Sequence, residues 1–168
     1  MHRSCFLLFS LLLLFNRCVK KEFKTCTSDS SIANMADFPI GAAADPLLLS
    51  SDTAYRNLFF SQFSSATAEN NFKPAYLHPE ENTYQWNEAD EFVSQCRSHH
   101  MRVHGHTLIW HQQNPQWMNE FTGSRERWEQ MMKSHIESIV RYFRPTVLSW
   151  DVVNEAFNED GSLRNTIW

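Results

Sequence analysis

Glycine and proline are scarce in this 168-residue chain, at 4 and 6 residues, which excludes a collagen-like repeat or a linker composition. Cysteine is sparse too. Outside the N-terminal apolar segment only Cys18, Cys26 and Cys96 remain, too far apart for a disulfide framework or a zinc cage. Positive charge is in deficit, with 15 Lys and Arg against 19 Asp and Glu, a net −4. No basic stripe offers itself to a phosphate backbone, so no nucleic-acid partner is expected. The apolar run Phe6 to Phe15, interrupted by Ser10, is too short to span a bilayer as a helix. No glycine-rich phosphate loop follows the first predicted strand, which weakens a nucleotide-binding reading. Aromatic side chains, by contrast, are plentiful: Phe 13, Trp 6 and Tyr 4. They can fill a core or line a cleft for flat, apolar ring faces.

The short basic start Met1-His2-Arg3-Ser4 followed by the apolar run reads as a secretory signal peptide over residues 1–17. The expected location is secreted or extracytoplasmic. Cys18, close behind the run, is a candidate lipid anchor to a membrane, with Lys20-Lys21-Glu22 as a polar tether. The residues before it, Phe15-Asn16-Arg17, lack the small side chains such a cleavage site favours. The plainer alternative is an ordinary leader cut between Cys18 and Ser31. Residues 18–36 read as an N-terminal linker and 37–168 as the folded domain. Loss of residues 1–17 removes Arg3 and Arg17 and no acid, leaving 13 bases against 19 acids, a net −6.

From Phe38 the chain alternates strand-like and helix-like pieces. Strands are predicted over Phe38–Ala44, Phe63–Glu69, Met101–Thr107 and Val147–Asn154. The last is nearly all apolar, as suits a parallel strand covered on both faces. Ser51 or Asp52 can cap a helix carrying Tyr55, Leu58, Phe59 and Phe63. Asn87 is expected to cap another, with Ala89, Phe92, Val93 and Cys96 on its apolar face, where Cys96 serves as small core filler. Ser124 opens a longer helix whose apolar stripe runs from Trp128 through His135 to Phe143, and Pro145 ends it. Strand then helix, repeated, implies βα units in a parallel α/β sheet. An open doubly wound sheet competes with a (β/α)8 barrel. Polar residues gathered behind successive strand ends favour the TIM barrel, of which about the first four βα units are expected here.

Three clusters carry the chemistry: Thr67 to Pro74, His104 to Gln113, and Trp150 to Phe157 with Asp160 to Arg164. Glu155 sits beside Asn154 at the end of a predicted buried strand. Desolvation there disfavours a charged carboxyl, and a protonated acid can protonate a leaving group. An ion pair with Arg164 or Lys73 is the plainer alternative. His104 and His106 fall on one face of a strand, which suits hydrogen-bond donors and, less well, a metal-dependent barrel hydrolase; no metal or cofactor is expected. Trp110 and Trp117 flank a polar loop. Indole faces amid His, Gln, Asn and Lys fit a sugar better than an apolar ligand.

Together the three clusters resemble glycoside hydrolase family 10, the endo-β-1,4-xylanases. Trp150 to Arg164 is similar to that family's acid/base signature, and Gly105-His106-Thr107-Leu108-Ile109-Trp110-His111 is nearly as specific. Ala68, Asn71 and the pair Asn82-Thr83 depart from the pattern. The resemblance implies a (β/α)8 barrel, a xylan or xylo-oligosaccharide substrate, retaining hydrolysis and a monomer when complete. It makes Glu155 the general acid/base and gives Asn154 the 2-hydroxyl of the sugar being cleaved. Glu69, Asn70, Lys73, His106, Trp110 and Gln113 would line the glycone side. A barrel needs about 250 residues, so truncation is expected, with the nucleophilic Glu absent and the chain inactive alone. A non-catalytic carbohydrate-binding remnant is the alternative from another class.

Overall fold

The computed structural model describes residues 31–168. The signal peptide expected at 1–17, Cys18, Cys26 and all but the last six residues of the linker expected at 18–36 lie outside the described residues. The described part of that segment closes into a 3₁₀ turn, Ile32–Met35, with the Ser31 hydroxyl accepting from the Asn34 N–H.

Four short strands form one sheet: β1 Gly41–Ala44, β2 Ser65–Ala68, β3 Arg102–Gly105 and β4 Val147–Trp150. They lie side by side in chain order and every neighbouring pair is parallel. That order separates the two architectures left open by the sequence. A doubly wound sheet reverses its strand order at a switch point, whereas each strand of a barrel adds to the same side of the one before. The sheet grows in one direction only, as one side of a barrel does.

Burial alternates along the strands, with Ala66, Ala68 and Val103 buried and Thr67 and His104 only half-buried. The buried positions share one sheet face, as a period of two requires. Helix α4 (Asn87–Ser98) covers that face with Phe92, Val93 and Cys96, and α6 (Arg125–Phe143) with Ile139 and Phe143. Cys96 is wholly buried and its thiol is pushed up to about 12 by desolvation, in keeping with an inert packing role. The other strand face carries the half-polar residues that lead into the site.

Two features of the helices depart from the sequence expectation. A short helix, α1 (Pro46–Ser51), precedes α2 (Thr53–Gln62), and Asp52 closes the first while its carboxylate caps the second, accepting from the Ala54 and Tyr55 N–H groups at 2.8 and 3.0 Å. The cap expected at Asn87 moves one residue earlier. Trp86 occupies the cap position without a side-chain bond. Its indole is stacked between Tyr84 and Tyr142, at 4.7 and 4.1 Å, so ring packing rather than a polar cap sets the start of α4. The one-turn helices α3 (Pro74–Leu77) and α5 (Gln116–Asn119) follow β2 and β3. Among the described residues no helix is long and apolar enough to cross a membrane.

Candidate active site

The site grows out of an extension of the β3–β4 pairing. The register between these strands slips at Val103/His104, placing one extra residue, Leu148, on β4. Beyond the strands the two segments remain zipped together. The Asp151 N–H donates to Gly105 O, the Leu108 N–H to Asp151 O and the Asn154 N–H to Ile109 O, at 3.0, 3.0 and 2.8 Å. Side-chain pairs then follow at a constant offset of 45 residues: His104 with Ser149, His106 with Asp151, and Trp110 with Glu155. The fold thus places three strand-end residues opposite three others.

Gly105 makes this approach feasible. A Cβ there would fall onto the six-membered ring of Trp150, which packs directly against the Gly105 backbone. Just beyond, the Asp151 carboxylate spans both histidines. One oxygen lies 3.2 Å from His104 Nε2 and the other 2.9 Å from His106 Nδ1. Desolvation pushes the Asp151 carboxyl up, but the hydrogen bonds and charge of His106 and His104 outweigh it and hold it below the ordinary carboxylate range. The two histidines therefore act through a shared carboxylate. Among the described residues no group of three or more His, Cys, Asp and Glu side chains is arranged to hold a metal ion.

Trp110 is the hub of the site. Its indole N–H donates to Glu155 Oε2 at 3.0 Å. The Lys73 ammonium lies 5.2 Å above its ring, and the His106 ring is 6.0 Å away. The Trp110 backbone is held as well, since its carbonyl accepts from Trp168 Nε1 at 2.6 Å and from Asn114 Nδ2 at 2.9 Å. Lys73 is nearly buried, and burial lowers its ammonium below the usual lysine range against the attraction of Glu69. It donates to Asn70 Oδ1 at 2.9 Å. So Glu69, Asn70, Lys73, His106, Trp110 and Glu155 are gathered behind β2, β3 and β4. Gln113 and Asn154 join through their backbones: the Gln113 carbonyl accepts the Ala75 N–H, which ties this loop to α3.

Glu155 forms no ion pair with Arg164 or Lys73. The Arg164 guanidinium turns instead to the backbone carbonyls of Glu155 and Phe157, at 3.1 and 3.3 Å. His111 Nε2 is 3.7 Å from the Glu155 carboxylate. Glu155 and Gln113 both hold left-handed backbone, φ 51° in each. Non-glycine residues there carry strain of roughly 1–3 kcal/mol, and such strain gathers at functional sites. One expectation fails. The Glu155 side chain is 49% exposed, so the strand-end burial expected to desolvate it is not provided by the surrounding residues.

Sequence reasoning passed over Asp151 and His111. Asp151 stands inside the Trp150-to-Phe157 cluster, but its meeting with two histidines depends on the β3–β4 register, which no local pattern shows. Trp117, grouped with Trp110 at the sequence level, lies elsewhere. Its indole N–H donates to His78 O at 2.9 Å, beside a separate cavity.

The model of the glycosyl hydrolase family 10 matches residues 30–168, all of the described chain. The chain belongs to glycosyl hydrolase family 10. It is 34% identical over 161 residues to the endo-1,4-beta-xylanase B of Thermotoga neapolitana, covering 95% of this chain and 46% of the relative. Against the endo-1,4-beta-xylanase A of Thermoanaerobacterium saccharolyticum the identity is 35% over 143 residues, covering 78% and 12%. The crystal structure of an intracellular xylanase from Thermoanaerobacterium saccharolyticum superposes with a TM-score of 0.72 at 34% identity, over 78% of this chain and 44% of that one. A glutamate-to-alanine mutant of that xylanase is also known in complex with xylotetraose, at a TM-score of 0.71 and 34% identity, over 78% of this chain and 44% of that one. The family 10 chain described here thus spans less than half the length of the relatives it matches. Its four parallel strands correspond to part of their TIM barrel.

Proposed function

We propose that this family 10 protein hydrolyses β-1,4-xylosidic bonds of xylan with retention of configuration, and that Glu155 is its general acid/base. The observation that carries the reading is the bond from the Trp110 indole to Glu155 Oε2. It holds a carboxyl at the edge of the ring whose face Lys73 overlies, with the His106 ring 6.0 Å away. As acid, Glu155 protonates the glycosidic oxygen as the bond to the anomeric carbon breaks. As base, it then takes a proton from the water that releases the sugar. Asn154 holds the 2-hydroxyl of the cleaved sugar, while Glu69, Asn70, Lys73, His106, Trp110 and Gln113 take the hydroxyls and ring faces on the glycone side. A retaining reaction uses a second carboxylate about 5–5.5 Å from the first, and we assign that nucleophile to none of residues 1–168.

The xylotetraose complex of a relative supports the substrate class. Its test is the anomer first released from xylo-oligosaccharide by the full-length protein, followed by proton NMR. Retention predicts the β-anomer ahead of mutarotation. An initial α-anomer refutes the mechanism, and binding without turnover returns the protein to the carbohydrate-binding class. The leader read at residues 1–17 supports an exported enzyme. N-terminal sequencing of protein recovered from the medium checks that, and finding an intact Met1 there overturns it.

A further inference from the structure

Away from the cleft, two buried histidines pose a satisfaction problem. His78 Nδ1 and His135 Nδ1 are 2.9 Å apart, and His135 Nε2 lies 2.9 Å from the Leu108 carbonyl oxygen. A carbonyl only accepts, so His135 Nε2 carries the hydrogen. Desolvation keeps both imidazoles neutral, each lowered to about 4, and the repulsion that a second protonated ring at His135 would bring adds to the effect on His78. A neutral His135 therefore offers a lone pair at Nδ1, and His78 Nδ1–H must donate to it. This leaves His78 Nε2 as a bare acceptor. His78 is 5% exposed, and its Nε2 is buried with no partner. An orphaned buried acceptor costs roughly 1–3 kcal/mol until a donor reaches it.

His78 lines a cavity of about 510 Å³ between the segment following α3 and the N-terminal half of α6. Its walls supply Trp117 and Phe121 as apolar surfaces, with Gln130 and Ser134 as neutral hydrogen-bonding groups. Glu81 and Glu126 also line it, while its arginine, Arg127, lies 5.4 Å over the Phe121 ring. An anionic guest would meet the Glu81 and Glu126 carboxylates. The guest these walls fit is neutral, carries hydroxyl donors and has apolar faces.

From these contacts we infer a second carbohydrate site on the flank of the molecule, in which a sugar hydroxyl donates to His78 Nε2 while the ring packs against Trp117 and Phe121. The choice of a xylose-based guest rests on the function proposed above; the site itself does not. It would hold a second stretch of polysaccharide beside the one in the cleft.

The test is an NMR titration of the full-length protein with xylotriose, observing the Trp110 indole N–H for the cleft and the Trp117 indole N–H with the His78 ring for the flank. Saturable shifts are expected at both places. The flank shifts should persist in the double variant Trp110→Ala/Glu155→Gln. They should weaken by about tenfold or more in affinity in Ser134→Trp, which fills the cavity; Gln130→Trp serves if that variant does not fold. Shifts at Trp110 alone overturn the flank site and leave water as the partner of His78. Shifts at the flank alone keep this site and remove the cleft reading. Silence at both rejects both.

Discussion

Replacing Gly105 by alanine tests the packing on which the site rests. The new Cβ would lie 2.5 Å from Trp150 Cδ2 and closer still to Cε3 and Cζ3, in hard collision with the six-membered ring. Trp150 has little room to retreat, because Phe72 meets it edge-on at 5.4 Å and Phe143 at 6.3 Å, both fully buried. The alternative is separation of the β3 and β4 ends, which would stretch the bond from Asp151 N–H to Gly105 O and the 2.9 Å contact of His106 with Asp151. Overpacking of a tight core costs typically about 1–3 kcal/mol. With two buried rings behind a half-buried Trp150, Gly105→Ala should cost about 2–3 kcal/mol. Gly161 is the control: it holds φ +82° with nothing within 4 Å of its would-be Cβ, so its alanine variant should lose only about 1 kcal/mol from backbone conformation. Urea denaturation of the full-length protein and both variants measures the difference. A loss at Gly105 below about 0.5 kcal/mol, the range of a bland surface substitution, would refute the reasoning.

The buried imidazole pair predicts acid sensitivity. His78 and His135 titrate near 4 in the folded protein and near the ordinary 6.5 when unfolded, so the unfolded chain binds more protons between those values. Stability is complete above pH 6.5 and falls as the pH drops towards 4. One such shift corresponds to about 3 kcal/mol, taken once because the rings share a hydrogen bond; a urea midpoint that stays flat across this window would contradict it. At Asp151 the folded carboxyl is held low, so its contribution is present above the ordinary carboxylate value near pH 4 and is lost as pH falls through the depressed one. Asp151→Asn should therefore cost about 1 kcal/mol at neutral pH, discounted for a half-exposed side chain. The gap to wild type should close below about pH 4; a gap that does not change with pH would show that charge plays no part.

What the sequence disclosed follows from the range of the interactions involved. The existence of four strands, the stripe of α6 and the burial of Cys96 depend on periodicity within one element, and each was readable from its own window; β4, however, ends at Trp150 rather than Asn154 and leaves Leu148, Val152 and Val153 exposed instead of covered on both faces. Glu155, Trp110, Lys73 and His106 were singled out because their clusters carry a specific pattern, and the structure brings these four together. The hub itself was not, since Trp110 meets Glu155 and His106 meets Asp151 across 45 residues through the β3–β4 register. Helix α1 went unread even though Asp45 and Pro46 form a conventional start, with the Asp45 carboxylate accepting the Leu47 N–H. The separation of Trp117 from Trp110 and the pairing of His78 with His135 are tertiary facts with no local signature.

The claim that Glu155 gives its proton to the leaving sugar is tested most directly by the glycosylation rate of Glu155→Gln in the full-length protein, compared between two leaving groups. For an unactivated xylosidic bond the variant should lose roughly 10²- to 10⁴-fold. For an aryl xyloside whose phenolate leaves without protonation the loss should be far smaller. Equal losses with both substrates would contradict the assignment.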